Sequence, residues 1–270
     1  RVAMTRQLSG LTDEISISVV EPVRYEDGWE FSDEYPDPLY DADYLREIYA
    51  KADSEFTGRV TVPVLWDREQ ETIVNNESRE IMRMLNTEFE GSTGVELVPA
   101  DMQNEVDSLI DAIYDPINNG VYRAGFADSQ EAYNEAVGEV FDALDHYESV
   151  LDEQRFLAGD RLTEADIAMF VTLVRFDAVY HTHFKCNRQA IHEYPNLWNY
   201  TKEIYQLPGV AETVNMDHIK RHYYMSHDHL NPKRLVATGP DLDFAEPHDR
   251  DRLSAELPPA LTDQRALADD

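Results

Sequence analysis

A proline interrupts the most apolar extended run of the N-terminal half. Val60-Thr61-Val62-Pro63-Val64-Leu65-Trp66-Asp67 has the β-branched and aromatic composition of a strand. Pro63 sits inside it and removes a ladder donor, although prolines in sheets are confined to edges, strand ends and bulges. A cis Val62–Pro63 bond would account for the placement, because it turns the Val62 backbone groups outward to pair with a peptide ligand. Cis is the state of only about 5% of X–Pro bonds, so the neighbouring sequence has to support it. Thr72-Ile73-Val74 reads as the hairpin partner of this strand. Asn76-Glu77-Ser78 then opens a helix whose apolar face is Ile81, Met82, Met84 and Leu85. The first turn of that helix offers free N–H groups and the positive end of the helix dipole. With the Ser78 hydroxyl these groups form a carboxylate site; the plainer alternative is that Ser78 only caps the helix.

The chain around this unit divides unevenly. Arg1 to Leu8 reads as a helix already under way, with Val2, Met4, Thr5 and Leu8 inside, and a start at Arg1 points to a missing N-terminal segment. This start has no signal-peptide pattern. Ile15-Ser16-Ile17-Ser18-Val19-Val20 alternates as a strand does. Residues 21–58 are polar, aromatic and acidic, with a short helix expected from Asp41 to Lys51. Helices are expected over 102–114, from Asp128 with Glu131 as its capping pair, and from Thr163 with Asp166 as its capping pair. Two more are expected over Pro195 to Tyr205 and Val210 to Tyr224. The expected organisation is an α/β thioredoxin-like domain over 1–90 that lacks its first strand, a linker over 91–101, and an all-α domain over 102–238. An extended or mobile tail over 239–270 completes it.

Charge removes several classes of function. The chain holds 54 acidic and 23 basic residues, a formal charge of −31. Nucleic acid and anionic membranes are excluded as partners, because both need clustered Lys and Arg. No apolar run approaches the roughly 20 residues of a membrane helix. The acids are spread along the whole chain, which fits a solvated shell in a halophilic cytoplasm: at molar salt the Debye length falls to about 3 Å and screens their repulsion. The single cysteine, Cys186, excludes an internal disulfide framework. His181, His183, His218, His222, His227 and His229 invite a metal reading, but His218 and His222 lack the Glu of a zincin motif and no closed ligand set is evident, so no metal is expected.

Val62-Pro63, Glu77-Ser78 and Leu162-Thr163-Glu164-Ala165-Asp166-Ile167-Ala168 together resemble a glutathione S-transferase, in which the residue at Asp166 belongs to a structural helix-capping motif. More specifically, the chain is similar to the glutathionyl-hydroquinone reductases, the Xi class. The stretches that carry this are Asp27-Gly28-Trp29, Gly58 to Asp67, Ile73 to Ser78, Gly120-Val121-Tyr122-Arg123-Ala124-Gly125-Phe126, Arg175 to Asn187, and Asn215 to Tyr224. The resemblance covers residues 1–238. It implies a glutathione S-transferase fold, usually dimeric. It places the nucleophile in a Cys-Pro-Trp-x-His-Arg motif whose final Arg matches Arg1, so the catalytic cysteine is expected upstream of Arg1. Cys186 lies after the third helix of the second domain, with no helix N-terminus to lower its pKa, and is not the family's cysteine.

What the resemblance implies chemically is a thiolate that attacks the sulfur of a glutathionyl-hydroquinone, releases hydroquinone and leaves a mixed disulfide for a second thiol to resolve. Tyr122, Tyr223 and the adjacent Tyr224 match tyrosines of the aromatic-substrate pocket, where a phenol can bond a quinol oxygen and pack on its ring. Trp29, Arg59, Val62, Pro63, Glu77 and Ser78 match the thiol-peptide site. The co-substrate is glutathione or γ-glutamylcysteine, since Val62 and Ser78 would meet the part the two share. Two other readings stay open: a transferase-like module that binds without catalysis, and another glutathione-dependent transferase or reductase.

Overall fold

The structure, a computed structural model, describes residues 1–90, 95–255, 257, 258 and 261. Its first part is a small α/β unit. Helix α1 (Val2–Leu8) buries Met4, Thr5 and Leu8 and packs on α3 (Ser78–Thr87), whose Ile81, Met82 and Leu85 face inward as the 3.6-residue period requires. Between them in the chain comes an antiparallel hairpin of β1 (Leu65–Asp67) and β2 (Thr72–Asn75). The strand expected over Val60 to Asp67 is therefore realised only in its last three residues. Up to Pro63 the chain is irregular, as the missing donor dictates.

The strand expected at Ile15 to Val20 does not form. Those residues pair with no described strand, and Ile17 and Val19 stand 52% and 40% exposed. Alternation alone does not make a strand without a neighbouring ladder. The 21–58 segment instead folds around its own polar turns. The Asp37 carboxylate accepts from the N–H groups of Leu39, Tyr40 and Ala42, and Glu47 accepts from the Tyr44 N–H at the start of α2 (Leu45–Ala52). A small core of Ala42, Leu45, Ile48 and Tyr49 joins α2 to Trp29, Val64, Trp66 and Ile73.

The rest is helical: α4 (Gln103–Ile113), α5 (Gly120–Gly125), α6 (Gln130–Glu153), α7 (Glu164–Arg175), α8 (Pro195–Tyr205) and α9 (Met216–Ser226). Of the expected linker, residues 91–94 lie outside the described residues. Two caps differ from expectation. Ser129, not Asp128, caps α6 by accepting from the Ala132 N–H at 3.1 Å. The helix expected from Val210 is split: a short 3-10 turn (Ala211–Thr213) precedes Asn215, whose side chain accepts from the His218 N–H and restarts the chain as α9. Two π-helical turns, Tyr114–Asn118 and Phe176–Tyr180, were not foreseen.

Thr163 and Asp166 form the expected capping box, and Asp166 does more than cap. Its carboxylate accepts from the Thr163 N–H (2.8 Å) and hydroxyl (3.1 Å), the Leu157 N–H (2.8 Å) and the Tyr200 hydroxyl (2.8 Å). The two parts of the molecule meet at Arg83 of α3, which reaches both Asp107 and the fully buried Glu164 at 2.9 Å. The segment after Gly239 has little regular structure, yet it is pinned. Arg250 is fully buried and donates to the carbonyls of Leu151, Gln154 and Arg155, closing the C-terminal end of α6. Residues 256, 259, 260 and 262–270 of the expected tail lie outside the described residues. Asp166→Ala should strand four buried donors and lower unfolding stability by about 3 kcal/mol or more, measured by denaturant unfolding at fixed salt; a loss below about 1 kcal/mol would contradict this role.

Candidate functional site

One half of the cleft is built from backbone. Val62–Pro63 is cis, Val62 is 44% exposed, and no described residue pairs with its N–H or C=O. Three polar side chains hold this edge beside α3. The Tyr49 hydroxyl donates to the Thr61 carbonyl at 2.9 Å, and Asn76 Nδ2 donates to the Tyr49 hydroxyl at 3.2 Å and to Thr61 Oγ1 at 3.3 Å. The start of α3 is thus tied to the residue before Val62. Asn75 accepts from the Glu77 N–H at 2.7 Å and fixes the approach to the helix. Ser78 is the first helical residue, so it is not the cap; Glu77 occupies that position and its exposed side chain makes no capping bond. The first-turn N–H groups stay open toward an anion. Arg59 is exposed without a partner among the described residues, and the structure does not bring it to Ser78.

The other half is aromatic. Tyr122 of α5, Tyr180 at the end of the second π turn and Tyr223 of α9 join their hydroxyls in a chain. Tyr223 bonds Tyr122 on one side and Tyr180, at 2.9 Å, on the other. Burial, reinforced by the neighbouring phenols, pushes Tyr180 and Tyr223 well above the ordinary phenol range, while Arg175 nearby pulls the other way. Tyr180 and Tyr223 therefore keep their protons at neutral pH. Tyr180 and Tyr223 are buried and Tyr122 is half-buried, so the chain opens at Tyr122. With Tyr180 donating to Tyr223 and Tyr223 to Tyr122, the Tyr122 O–H is left to meet a ligand oxygen.

Tyr224 does not join this chain. Its hydroxyl donates to the Ala178 carbonyl at 3.2 Å, it is 4% exposed, and its ring lies on His183. One residue along a helix is a rotation of about 100°, which sends Tyr223 to the cleft and Tyr224 to the core. Tyr180, Asn76, Tyr49 and Thr61 were not singled out in the sequence. Tyr180 lies inside the Arg175 to Asn187 stretch, but the π turn that aims it has no local sequence signal. Arg1 lies between the halves. Its Nη1 is 3.5 Å from Ser78 Oγ, Tyr122, Tyr114, Tyr180 and Arg175 are close enough to act on its charge, and burial lowers its pKa.

Cys186 is fully buried, and burial alone pushes its thiol up to about 12, which makes it inert. His183 and His227 share a bond at 3.2 Å, and burial pushes both down to about 4. Among the described residues no group of three or more His, Cys, Asp or Glu is placed to hold a metal. Among them too, no helix is long and apolar enough to cross a membrane.

With the geometry in view, the comparisons with known proteins are decisive. Residues 1–88 match the family model "Glutathione S-transferase, N-terminal domain", and residues 130–203 match "Glutathione S-transferase, C-terminal domain". Glutathionyl-hydroquinone reductase YqjG of Escherichia coli is 51% identical over 257 residues, covering 93% of this chain and 78% of that protein. The chain belongs to the glutathionyl-hydroquinone reductase, or Xi-class glutathione S-transferase, family. A solved Xi-class structure from Natrialba magadii is 61% identical with a TM-score of 0.91, covering 93% of this chain and 79% of that one. The glutathione-bound structure of Escherichia coli YqjG is 50% identical with a TM-score of 0.91, covering 93% and 83%.

The paired histidines of this Xi-class chain generate a pH dependence. The unfolded chain takes up their protons near pH 6.5, whereas the folded pair resists to about 4. Between those values the unfolded state binds more protons, so stability is lost as pH falls. A His183→Phe/His227→Phe variant should lose less stability than the natural protein as pH drops from 6.5 toward about 4, measured by denaturant midpoint at fixed salt. Parallel profiles would contradict this.

Proposed function

We propose that this protein reduces glutathionyl-hydroquinones, or their γ-glutamylcysteinyl equivalents, to free hydroquinones. The observation that carries the reading is the pairing of two unlike half-sites across Arg1: an unpartnered peptide edge with an open helix N-terminus, and a chain of hydrogen-bonded phenols. A conjugate of a thiol peptide and a quinol has one part for each. The peptide pairs with Val62 beside Pro63, its γ-glutamyl carboxylate lies at Ser78 and the first turn of α3, and Trp29 packs on its side. The quinol oxygen takes the free O–H of Tyr122. Glu77 flanks Ser78 at the cap position of α3, and Tyr224 supports from the core.

The chemistry follows from a cysteine that the family motif places just upstream of Arg1. Its thiolate attacks the sulfur of the conjugate and forms a mixed disulfide. The electrons of the broken carbon–sulfur bond pass to the ring carbon, which takes a proton. A second thiol, glutathione or γ-glutamylcysteine, then attacks the mixed disulfide, frees the cysteine and leaves as the oxidised disulfide. Hydrogen bonding from Tyr122, backed by Tyr223 and Tyr180, stabilises charge on the quinol oxygen as density shifts to the ring. We also propose a homodimer in the cytoplasm of a halophilic archaeon. A charge of −31 spread over the chain and the likeness to the Natrialba magadii protein support that origin.

Full-length protein carrying the upstream motif, assayed with a glutathionyl-hydroquinone and either thiol in molar salt, should release hydroquinone together with one oxidised disulfide. Tyr223→Phe should lower kcat about tenfold or more by cutting the phenol chain. Full-length protein that releases no hydroquinone with either thiol would overturn the assignment.

A further inference from the structure

Helix α9 serves both halves of the cleft through adjacent residues. Tyr223 enters the phenol chain, while His222 points to the 21–31 segment. His222 Nδ1 lies 2.8 Å from the Pro22 carbonyl oxygen. A carbonyl can only accept, so Nδ1 carries a proton. One helical turn on, Ser226 Oγ accepts from the Arg24 N–H at 3.0 Å. These two bonds fix residues 22–24 along one face of α9. The chain then reverses at Tyr25–Gly28, where Gly28 takes a φ of +99° that disfavours any side chain. Trp29 follows directly. Its carbonyl accepts from the Leu45 N–H at 3.0 Å, and its indole lies on the His222 imidazole, ring centroids 5.3 Å apart and planes 22° from parallel.

We propose that His222 is a positioning residue of the thiol site, holding the Trp29 indole in the orientation that packs on the bound thiol peptide. The proposal rests on the thiol-binding role given to Trp29 above. Trp29 ends a tight turn, and the described polar network anchors its backbone but not its ring. The ring packs against the small core of Ala42, Leu45, Ile48 and Tyr49, and the one ring it stacks on among the described residues is His222, itself held by the Pro22 bond. A pre-set indole spares the thiol peptide the cost of ordering it. His222 also meets the Tyr223 ring edge-on, centroids 5.2 Å apart, but Tyr223 is held by its own two phenol bonds, which the Trp29 stack does not supply.

Three variants of the full-length protein separate the two contacts of His222. His222→Phe keeps a stacking ring and loses the Pro22 bond. His222→Asn keeps a donor near the place of Nδ1 and loses the ring, and His222→Ala loses both. The stack should count for more than the bond. His222→Ala and His222→Asn should weaken glutathione binding by about three- to tenfold, with His222→Phe within about twofold of the natural protein. Binding of free hydroquinone should stay within about twofold in all three, since it uses only the phenols. The indole N–H resonance of Trp29, identified with Trp29→Phe, should shift in the Ala and Asn variants and stay near its place in Phe; this readout needs no ligand. Unchanged glutathione affinity in His222→Ala, or equal losses in the Phe and Ala variants, would overturn the proposal. Natural full-length protein that binds no thiol peptide at all would instead overturn the function on which it rests.

Discussion

Asp166 accepts four hydrogen bonds out of contact with solvent and so fixes where α7 begins. A buried carboxylate with fewer partners would cost more in desolvation than its capping returns. With the start of α7 set, the rest of the cleft is measured from that helix. Its first residue, Glu164, receives Arg83 and so sets the place of α3, whose N-terminus faces the peptide edge. Its last residue, Arg175, stands beside the phenols, and the π turn that continues it delivers Tyr180. The two ends of one helix thus hold the two half-sites at a constant spacing.

The acidity of the protein and the character of its cleft are separate matters. The charge of −31 belongs mainly to exposed side chains, which salt can screen. The cleft is lined instead by phenols, backbone groups and the arginines Arg1 and Arg175, neither of which has a carboxylate partner among the described residues. A site that must receive a peptide carboxylate and polarise a quinol oxygen gains from this local excess of positive charge. The net charge therefore speaks to the solvent, and the site chemistry is written in a few residues that run against it.

What could be read in the sequence was what is decided locally. Pro63 announces itself by violating a strand, and Thr163 with Asp166 is a capping pair at fixed spacing. The helix opening at Ser78 is signalled by periodicity, although the place of Ser78 as first helical residue rather than cap is set by the backbone turn at Glu77. What could not be read depends on distant partners. Ile15 to Val20 alternates correctly but finds no ladder. Tyr180 reaches Tyr223 only because a π turn shifts its direction, and Asn76 meets Tyr49 across 27 residues. Arg250 looked like part of a loose acidic tail and is a buried helix-end cap, since composition cannot show that three carbonyls await it. Tyr224 matched the same stretch as Tyr223 and faces the core.

The central claim is that one conjugate spans both half-sites. It is tested most directly by a crystal structure of the full-length protein with a glutathionyl-hydroquinone bound. The expected result is the peptide backbone paired with Val62, its γ-glutamyl carboxylate at Ser78 and the α3 N-terminus, and a quinol oxygen on the Tyr122 hydroxyl. A conjugate that binds with its quinol ring away from Tyr122 and Tyr223, or with its peptide away from Val62 and Ser78, would contradict it.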